Sequence, residues 1–356
     1  MVKIKKFYKN KKILVTGATG FKGSWLCLWL KILGANVCGI GNNPNSNRKL
    51  FYEIGLNKSI KTDVFDIRNY KKVEKIIKKF KPSIIFHLAA QPLIFTSYQK
   101  PLETFDVNIK GTLNVLEAIR NNKFVKSALF ITSDKCYENL GKIIPYKEDD
   151  RLGGVDPYSA SKSSAELVIR AYRESFFKNS TQAISSVRAG NVIGGGDWSQ
   201  NRLIPDTIRS LLKKKKIVIR NPNFNRPWQH VLEPLRGYLL LAKKQYENPK
   251  KYSSAWNFGT RPNSVTSVIE IVNYITKFWR KGKTTLKKNK NYYEQKNLQL
   301  SIVKAKKLLN WWPTYSVENS VKITADWYYK VKEKKQNAFS VSKSQIEKYM
   351  LENEWN

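Results

Sequence analysis

Short apolar runs alternate with longer amphipathic stretches through the N-terminal part of the chain. The apolar runs predict strands near residues 12–16, 36–40, 59–64, 83–89, 127–133 and 183–189. The stretches between them predict helices near residues 21–33, 69–80, 104–120 and 157–177. Strands that alternate with helices are typical of a parallel, doubly wound sheet. We therefore predict an α/β, Rossmann-like fold for this part of the chain.

The pattern becomes less regular after Asn191, where consecutive glycines lead into shorter predicted elements separated by proline-containing loops. We predict that residues 1–190 form a Rossmann domain. Residues 191–356 are expected to form mainly a smaller C-terminal substrate-binding lobe, with some segments returning to the first domain.

A glycine-rich turn, GATGFKG, joins the first predicted strand to the first predicted helix. Glycines with this GxxGxxG spacing let the backbone approach a pyrophosphate closely, and the following helix offers unpaired N–H groups to the anion. The turn therefore predicts a dinucleotide site. Its predicted contact residues are Gly17, Thr19, Gly20, Phe21, Lys22 and Gly23.

Two later strand ends supply further candidates for cofactor contacts. Asp66 and Ile67 follow the third predicted strand, at a position from which a side chain can reach an adenine. The end of the second strand, at residues 40–43, lacks the acidic residue expected on a ribose, and Arg48 would suit a 2′-phosphate, so this position does not separate NAD from NADP. Residues that let the backbone pass close to a cofactor follow the fourth strand: Leu88, Ala89, Ala90 and Gln91.

Tyr158 and Lys162 are candidate catalytic residues because a spacing of four places both on one helix face. Asp156 and the proline after it are typical of a helix start. A cation and the partial charge of the helix N-terminus should lower the pKa of the Tyr158 phenol and make it a usable base. The triplet Ser-Asp-Lys at residues 133–135 ends the fifth predicted strand.

The formal net charge of +38 raises the possibility of a nucleic-acid partner. Lysines are spread through every segment, among many Asn and Ile residues, and we attribute the charge to compositional drift rather than to a binding surface. A basic nucleic-acid-binding protein or a non-catalytic scaffold remains an alternative, which predicts salt-sensitive binding of RNA or DNA and no turnover.

Histidine and cysteine are too scarce for several kinds of chemistry. His87 and His230 lie far apart without neighbouring carboxylates or cysteines, so we expect neither a metal site nor a Ser-His-Asp triad, and we interpret His87 as a satisfied residue at a strand end. The three cysteines are scattered, which favours a reducing compartment. The N-terminus lacks signal-peptide features, and no apolar run has the length of a membrane span, so we expect a cytoplasmic protein.

The GxxGxxG turn and the YxxxK motif together resemble the short-chain dehydrogenase superfamily, in its extended branch that modifies nucleotide sugars. The segments TSDKCYEN, RAGNVIGGGDWSQNRLIPD and IRNPNFNRPWQHVLEPLRGYL resemble the CDP-glucose 4,6-dehydratases within that branch. Lys135 resembles the CDP-sugar group in particular, since dTDP-glucose dehydratases carry Thr-Asp-Glu at the triplet. This resemblance covers most of the chain and implies a hydro-lyase of deoxysugar biosynthesis that uses NAD and CDP-glucose.

The resemblance also implies a role for each catalytic residue. Tyr158 would remove the proton of the sugar 4-hydroxyl while hydride passes from C4 to NAD, with Ser133 bonded to that oxygen and Lys162 holding the ribose. Asp134 would protonate the departing 6-hydroxyl, for which its pKa should be raised, and hydride would return to C6. Lys135 would act either as a neutral base at C5 or by polarising an intermediate while another group takes the proton.

By the same resemblance, Asn191 and Arg226 are expected to contact the substrate diphosphate, with Arg202 as a further candidate. Trp228 and His230 are expected to shape the nucleotide pocket, although Trp228 equally suits core packing. The helices near residues 104–120 and 157–177 commonly form a dimer interface in this branch, which implies a homodimer or a tetramer.

Two alternative enzyme readings remain within the same branch. A 4-epimerase or a decarboxylase would keep Tyr158 and Lys162 but would not need Asp134. A dehydratase for a different nucleotide is the other alternative, because the contacts with the base come from loops that the sequence does not identify.

Overall fold

The computed structural model describes residues 2–42, 49–141, 144–262, 264–286 and 298–355. Asn43 and Arg48, which bear on the choice between NAD and NADP, lie outside the described residues. The strands are β1 (Lys12–Thr16), β2 (Asn36–Gly41), β3 (Lys61–Val64), β4 (Ile84–His87), β5 (Ser127–Ile131), β6 (Ala183–Arg188), β7 (Val192–Ile193), β8 (Ile217–Ile219), β9 (Asn225–Arg226), β10 (Gln229–His230), β11 (Ala255–Asn257), β12 (Thr266–Ser267) and β13 (Thr284–Leu286).

The helices are α1 (Val2–Tyr8), α2 (Phe21–Ile32), α3 (Lys49–Glu53), α4 (Leu56–Ser59), α5 (Tyr70–Phe80), α6 (Ile94–Gln99), α7 (Pro101–Phe105), α8 (Gly111–Arg120), α9 (Pro157–Tyr172), α10 (Leu203–Leu212), α11 (Leu232–Glu247), α12 (Pro249–Tyr252), α13 (Val268–Trp279), α14 (Val303–Leu309), α15 (Val317–Tyr328) and α16 (Ala338–Glu352). Short π-helical turns cover Asp106–Lys110, Arg173–Phe177 and Tyr329–Glu333, and a 3₁₀ turn covers Asp134–Cys136. None of the helices in the described ranges is both long and apolar enough to cross a membrane.

The main sheet has seven strands in the order β11-β6-β5-β4-β1-β2-β3, and every neighbouring pair is parallel. The predicted Rossmann-like, doubly wound fold is therefore confirmed. Sheets of this kind bind ligands beyond the carboxyl ends of their strands, where the strand order reverses. Here the reversal lies between β1 and β4, so the glycine-rich turn after β1 and the segment after β4 meet at that edge.

Apolar side chains cover both faces of the sheet. One face packs against α2 and α11, with Trp25 and Leu235 fully buried there, and the C-terminal helices join the same cluster. The other face packs against α5, α8 and α9, where Val73, Val115 and Ile169 are fully buried. Helices on both faces explain why the central strands are apolar without alternation.

The C-terminal part of the chain contributes to this sheet through β11, which pairs with β6 at its edge. The remaining short strands of this part form three two-stranded pairs: β7 with β10, β9 with β12, and β8 with β13. The helix predicted near residues 104–120 is divided into α7, a π-helical turn and α8. The division of the chain at residue 190 stays a prediction.

Candidate active site

The glycine-rich turn after β1 packs backbone against backbone. Gly17 has a φ of +70°, and a Cβ atom there would lie 2.8 Å from the backbone of Leu88 and Ala89. A Cβ atom on Gly23 would lie 2.1 Å from the carbonyl oxygen of Gly17. Side chains at these positions would force the turn away from β4 or away from α2. The turn therefore needs glycine for its shape.

The start of α2 suits a diphosphate. Gly20 precedes the helix and has no side chain to cap it, and the first turn contains no acidic residue. The first backbone N–H groups of an α-helix have no partner within the helix, and they favour an anion. The turn has no room for a Cβ atom at Gly17 or Gly23, so its backbone can approach a ligand closely. Together with the uncapped helix start, this turn fits the dinucleotide that the sequence predicts.

The predicted cofactor residues after β3 and β4 differ in how their side chains are used. Asp66 is largely exposed, and its carboxylate forms an ion pair with Arg68 at 2.6 Å. Ile67 is buried against Gly111. The Gln91 side-chain amide donates to the carbonyl of Leu93 at 3.1 Å and so belongs to its own loop. The backbone N–H of Gln91 donates to Asn108 and its carbonyl accepts from Asn108, so Gln91 serves to shape the loop beside the cofactor edge.

Helix α9 carries Tyr158 and Lys162 at a start that is fixed by its cap. The Asp156 carboxylate accepts a hydrogen bond from the backbone N–H of Ser159 at 3.0 Å. Both predicted catalytic side chains are buried, and Lys162 Nζ donates to the carbonyl of Ile131 at 3.3 Å. This bond joins the helix to the end of β5, which continues directly into the Ser-Asp-Lys triplet.

The triplet adopts a 3₁₀ turn that presents Ser133 and Asp134 to α9. The Ser133 hydroxyl donates to the Asp134 carboxylate at 3.0 Å and accepts a hydrogen bond from the backbone N–H of Lys135. Ser133 also shares a hydrogen bond with the Tyr158 hydroxyl. The structure thus brings Ser133, Asp134, Tyr158 and Lys162 into one buried cluster. Lys135 lies at its edge and is half-buried.

The expectation that the Tyr158 pKa is lowered is wrong. Burial raises the pKa of Tyr158 to about 12, because the phenolate loses its hydration, and the charge of Asp134 adds to this. The hydrogen bond with Ser133 and the charge of Arg202 act in the opposite direction but do not outweigh burial. Burial also lowers the pKa of Lys162 to about 8.

Two further predicted residues join this cluster by their charges. Burial and the Arg202 charge lower the pKa of Lys22 to about 8, against the opposing effect of Asp134. Arg202 itself forms an ion pair with Asp197 at 3.0 Å. Lys22, at the start of α2, therefore lies on the side of the glycine-rich turn that faces the catalytic residues.

The other predicted substrate residues lie farther along the C-terminal part. Arg226 and Trp228 belong to the small β9–β12 region, where the indole N–H of Trp228 donates to the carbonyl of Thr266 at 3.2 Å. Asn191 has a φ of +43° and accepts a hydrogen bond through its carbonyl from the N–H of Gln229. The substrate contacts of Arg226, Trp228 and Asn191 stay predictions.

His230 and His87 are both fully enclosed. The His230 ring packs between Trp25 and Tyr315, and burial lowers its pKa to about 3. His230 thus contributes to a pocket only by supporting the residues around it. His87 is bonded on both ring nitrogens, to Thr16 at 2.8 Å and Thr112 at 3.3 Å, which agrees with its interpretation as a satisfied residue.

Several residues of the site carry no motif of their own. A Cβ atom on Gly190, just after β6, would lie 1.9 Å from the Asp134 carboxylate, so this glycine makes room for the acid. Asn108, in the π-helical turn, accepts a hydrogen bond from the N–H of Gln91 at 2.8 Å and donates to Ser161 on α9 at 2.8 Å. Glu166 is buried below the cluster, and its spacing of four residues from Lys162 is the sequence feature that could have indicated its place on the same helix face.

Known proteins resemble this chain over most of its length. The family model described as GDP-mannose 4,6 dehydratase matches residues 14–324. The chain belongs to this family. It is similar to the CDP-glucose 4,6-dehydratase of Salmonella typhimurium, with 41% identity over 97% of this chain and 98% of the relative. It is also similar to the UDP-glucuronate 4-epimerase of Thermodesulfobacterium geofontis, with 29% identity over 88% of this chain and 95% of the relative.

Solved structures of nucleotide-sugar enzymes share the fold of this chain. The dTDP-glucose 4,6-dehydratase of Bacillus anthracis, solved in complex with NAD, superposes with a TM-score of 0.76 at 22% identity, over 91% of this chain and 98% of that one. The UDP-glucuronic acid 4-epimerase of Bacillus cereus, solved with UDP-glucuronic acid and NAD, gives a TM-score of 0.76 at 25% identity, over 90% and 99%. The sequence-based assignment to nucleotide-sugar 4,6-dehydratases is confirmed.

Proposed function

We propose that this protein dehydrates CDP-glucose to CDP-4-keto-6-deoxyglucose with NAD as cofactor. The observation that carries the proposal is the placement of an acid, Asp134, in the same buried cluster as Tyr158, Lys162 and Ser133. Oxidation at C4 alone needs only a base and its supports. The loss of water across C5 and C6 also requires an acid for the departing hydroxyl, and Asp134 is the carboxylic acid of the cluster.

Each side chain of the cluster has a task that its contacts support. Tyr158 takes the proton of the 4-hydroxyl, and Ser133, bonded to Tyr158, orients that oxygen. NAD supplies the site at which hydride from C4 is held until it returns to C6. Lys162 holds the ribose, and Asp134 donates a proton to the departing 6-hydroxyl. Lys135, at the edge of the cluster, takes the C5 proton in its neutral form and returns a proton to C5 once hydride has reached C6. Burial of the cluster excludes water that would compete for these protons.

We assign to NAD and to the nucleotide sugar the residues that the sequence predicts, and the position of the strand ends supports the NAD assignments. The turn from Gly17 to Gly23 and the backbone of residues 88–91 meet at the switch point of the sheet. Asp66 and Ile67 lie at the next strand end. We assign Asn191, Arg202, Arg226, Trp228 and His230 to the nucleotide-sugar side, and residues 191–356 mainly to that lobe.

Turnover of defined substrates tests this function. The purified protein is incubated with NAD and separately with CDP-glucose, dTDP-glucose, UDP-glucose and GDP-mannose, and the 4-keto product is followed by its alkaline absorbance. We expect product from CDP-glucose. Product from another nucleotide alone would refute the CDP preference, and interconversion of UDP-sugars without 4-keto product would indicate an epimerase. Lack of product from all four sugars would overturn the proposal.

We also propose that two copies associate through α8 and α9. Leu113 on α8, Leu167 on α9 and Phe176 just after α9 are exposed apolar side chains on the helices that commonly form a dimer interface in this branch. The three cysteines are free and buried, which fits a reducing compartment, and we place the protein in the cytoplasm.

A further inference from the structure

Helix α9 carries a third ionisable residue in line with Tyr158 and Lys162. Glu166 follows Lys162 by four residues, so the three side chains lie along one face of the helix. Only 2% of the Glu166 surface is exposed. A carboxylate at such a depth needs partners, because burying an unpaired charge costs several kcal/mol.

The Glu166 carboxylate is held by three side chains from two strands. Its Oε1 atom accepts from the Thr132 hydroxyl at 2.5 Å, and its Oε2 atom accepts from Ser186 and from Arg188, each at 2.7 Å. Burial alone would raise the pKa of Glu166, but the Arg188 charge and these hydrogen bonds hold it below the ordinary value. The group is therefore a fixed negative charge inside the protein.

This charge has a geometric and an electrostatic link to the catalytic cluster. Thr132 directly precedes Ser133, so the bond to Glu166 ties the start of the Ser-Asp-Lys triplet to α9. Burial lowers the pKa of Lys162 to about 8, and Glu166 is the largest influence that opposes this shift. A lysine with such a pKa would lose its proton at physiological pH if the opposing charge were removed.

Other groups near Lys162 do not replace this carboxylate. The Cys136 thiol favours the lysine charge, but burial raises its own pKa so that it stays neutral. The side chain of His87 is neutral, since burial lowers its pKa to about 3. Lys22 on α2 repels Lys162, and the Asp134 carboxylate acts on Lys22 rather than on Lys162. Arg188 on β6 is paired with Glu166.

We propose that Glu166 is a positioning residue that keeps the Lys162 ammonium charged and fixes α9 against the segment carrying Ser133 and Asp134. The inference rests on the proposed function for the role of Lys162 on the cofactor ribose. It assigns a task to a buried carboxylate that does not itself touch substrate or cofactor. The ion pair with Arg188 keeps the Glu166 carboxylate negatively charged. That negative charge in turn keeps Lys162 protonated at the pH at which it binds the cofactor ribose.

The test is the pH dependence of NAD binding to the full-length protein, measured by calorimetry. Affinity that requires charged Lys162 is present below the pKa of this lysine and lost as the pH rises through it. We expect Glu166→Gln to move the midpoint of that loss about one to three pH units lower. Thr132→Val removes the tether but leaves the charge, and its midpoint should coincide with that of the unaltered protein.

Two further variants keep the result interpretable. If Glu166→Gln fails to fold because Arg188 is left unpaired, Glu166→Gln combined with Arg188→Met removes both charges. This double variant should also move the midpoint lower, but by less than Glu166→Gln alone, because the positive charge of Arg188 is removed as well. In a Lys162→Met background, Glu166→Gln should leave the pH dependence of binding unchanged. A folded Glu166→Gln variant whose midpoint equals that of the unaltered protein, with only its melting temperature lowered, would overturn the proposal. The calorimetric measurement of NAD binding contains no sugar. A failure to convert CDP-glucose would therefore count against the proposed function and not against the role of Glu166.

Discussion

The reactivity of Tyr158 is governed by the loss of hydration around its hydroxyl. Burial raises its pKa to about 12, and neither the hydrogen bond with Ser133 nor the charge of Arg202 compensates. A phenol with such a pKa keeps its proton until a further positive charge, such as the nicotinamide ring of bound NAD, stabilises the phenolate. Tyr158 is thus prevented from reacting before the ligands are in place.

The space beside the Asp134 carboxylate depends on Gly190. We expect Gly190→Ala to push this carboxylate aside, since the new Cβ atom would lie 1.9 Å from it. A displacement of about 1 Å costs roughly 100-fold in rate. Single-turnover measurements should show reduced cofactor forming at near the normal rate while 4-keto product appears about 100-fold more slowly. Gly153→Ala is the control, because its Cβ would make an ordinary 3.4 Å contact. Equal slowing of both steps would refute the role of Gly190.

Lys135 lies at the edge of the cluster, and its role concerns the elimination step. We expect Lys135→Ala to slow formation of the 4-keto-6-deoxy product by about 10²-fold or more, and to slow initial formation of reduced cofactor much less. The exposed Lys147 provides the control, since Lys147→Ala removes the same charge nearby in sequence. Product formation at the normal rate in Lys135→Ala would exclude this role.

Site residues that belong to a motif with a fixed spacing could be predicted from the sequence. Site residues whose role depends on which strand lies next to them in the sheet could not. Tyr158 and Lys162 follow from a four-residue interval, and the glycine-rich turn follows from its position after β1. The role of Gly190 exists only because β6 lies beside β5 in the sheet, an adjacency that no local pattern encodes. The prediction of a lowered pKa for Tyr158 is wrong for a related reason, because the depth at which a side chain is buried is a property of the assembled fold.

At the scale of elements, three segments are clamped together under the cofactor edge. The π-helical turn Asp106–Lys110 brings Asn108 between the loop after β4 and helix α9, while Lys162 and Glu166 join α9 to the end of β5. A π-helical turn is uncommon and often marks a functional site. The stretch near residues 104–120 is helical throughout, as predicted, and the π-helical turn lies within it.

Asn108 is the central residue of this clamp. We expect Asn108→Ala to lower the free energy of unfolding by about 1–3 kcal/mol, because the backbone N–H of Gln91 loses its acceptor in a buried place. NAD affinity should fall as well, since the loop of residues 88–91 lines the cofactor edge. Chemical denaturation and calorimetry measure the two effects. Asn121→Ala, at an exposed site, should change stability by less than about 0.5 kcal/mol. Unchanged NAD affinity in folded Asn108→Ala would contradict this account.

For the whole molecule, the sequence predicted the main sheet well because apolar runs and helices alternate over its first 190 residues. It did not place β11, a three-residue strand that reaches the sheet from the C-terminal part, since so short a segment has no readable period. The two-residue strands β7, β9, β10 and β12 were missed for the same reason. Long-range pairing therefore determines the arrangement of the C-terminal part of the chain.

The exposed apolar side chains on α8 and α9 lead to a prediction about assembly. Leu167 is 55% exposed in the middle of α9, on the surface that we assign to the dimer. A carboxylate there would meet its own symmetry-related copy or an apolar partner, and either arrangement disfavours association. We expect the unaltered protein to be a dimer or tetramer by light scattering and Leu167→Glu to shift toward the monomer.

The matched control is Val303→Glu, which adds the same charge at a 69% exposed position on α14 and should leave the mass unchanged. The catalytic cluster faces the opposite side of α9 from Leu167, as the burial of Tyr158 and Lys162 requires. A monomeric Leu167→Glu should therefore still bind NAD, which separates loss of the interface from loss of the fold. If Leu167→Glu retains the mass of the unaltered protein, the association surface lies elsewhere, because a pair of buried carboxylates at a two-fold axis is too costly to persist.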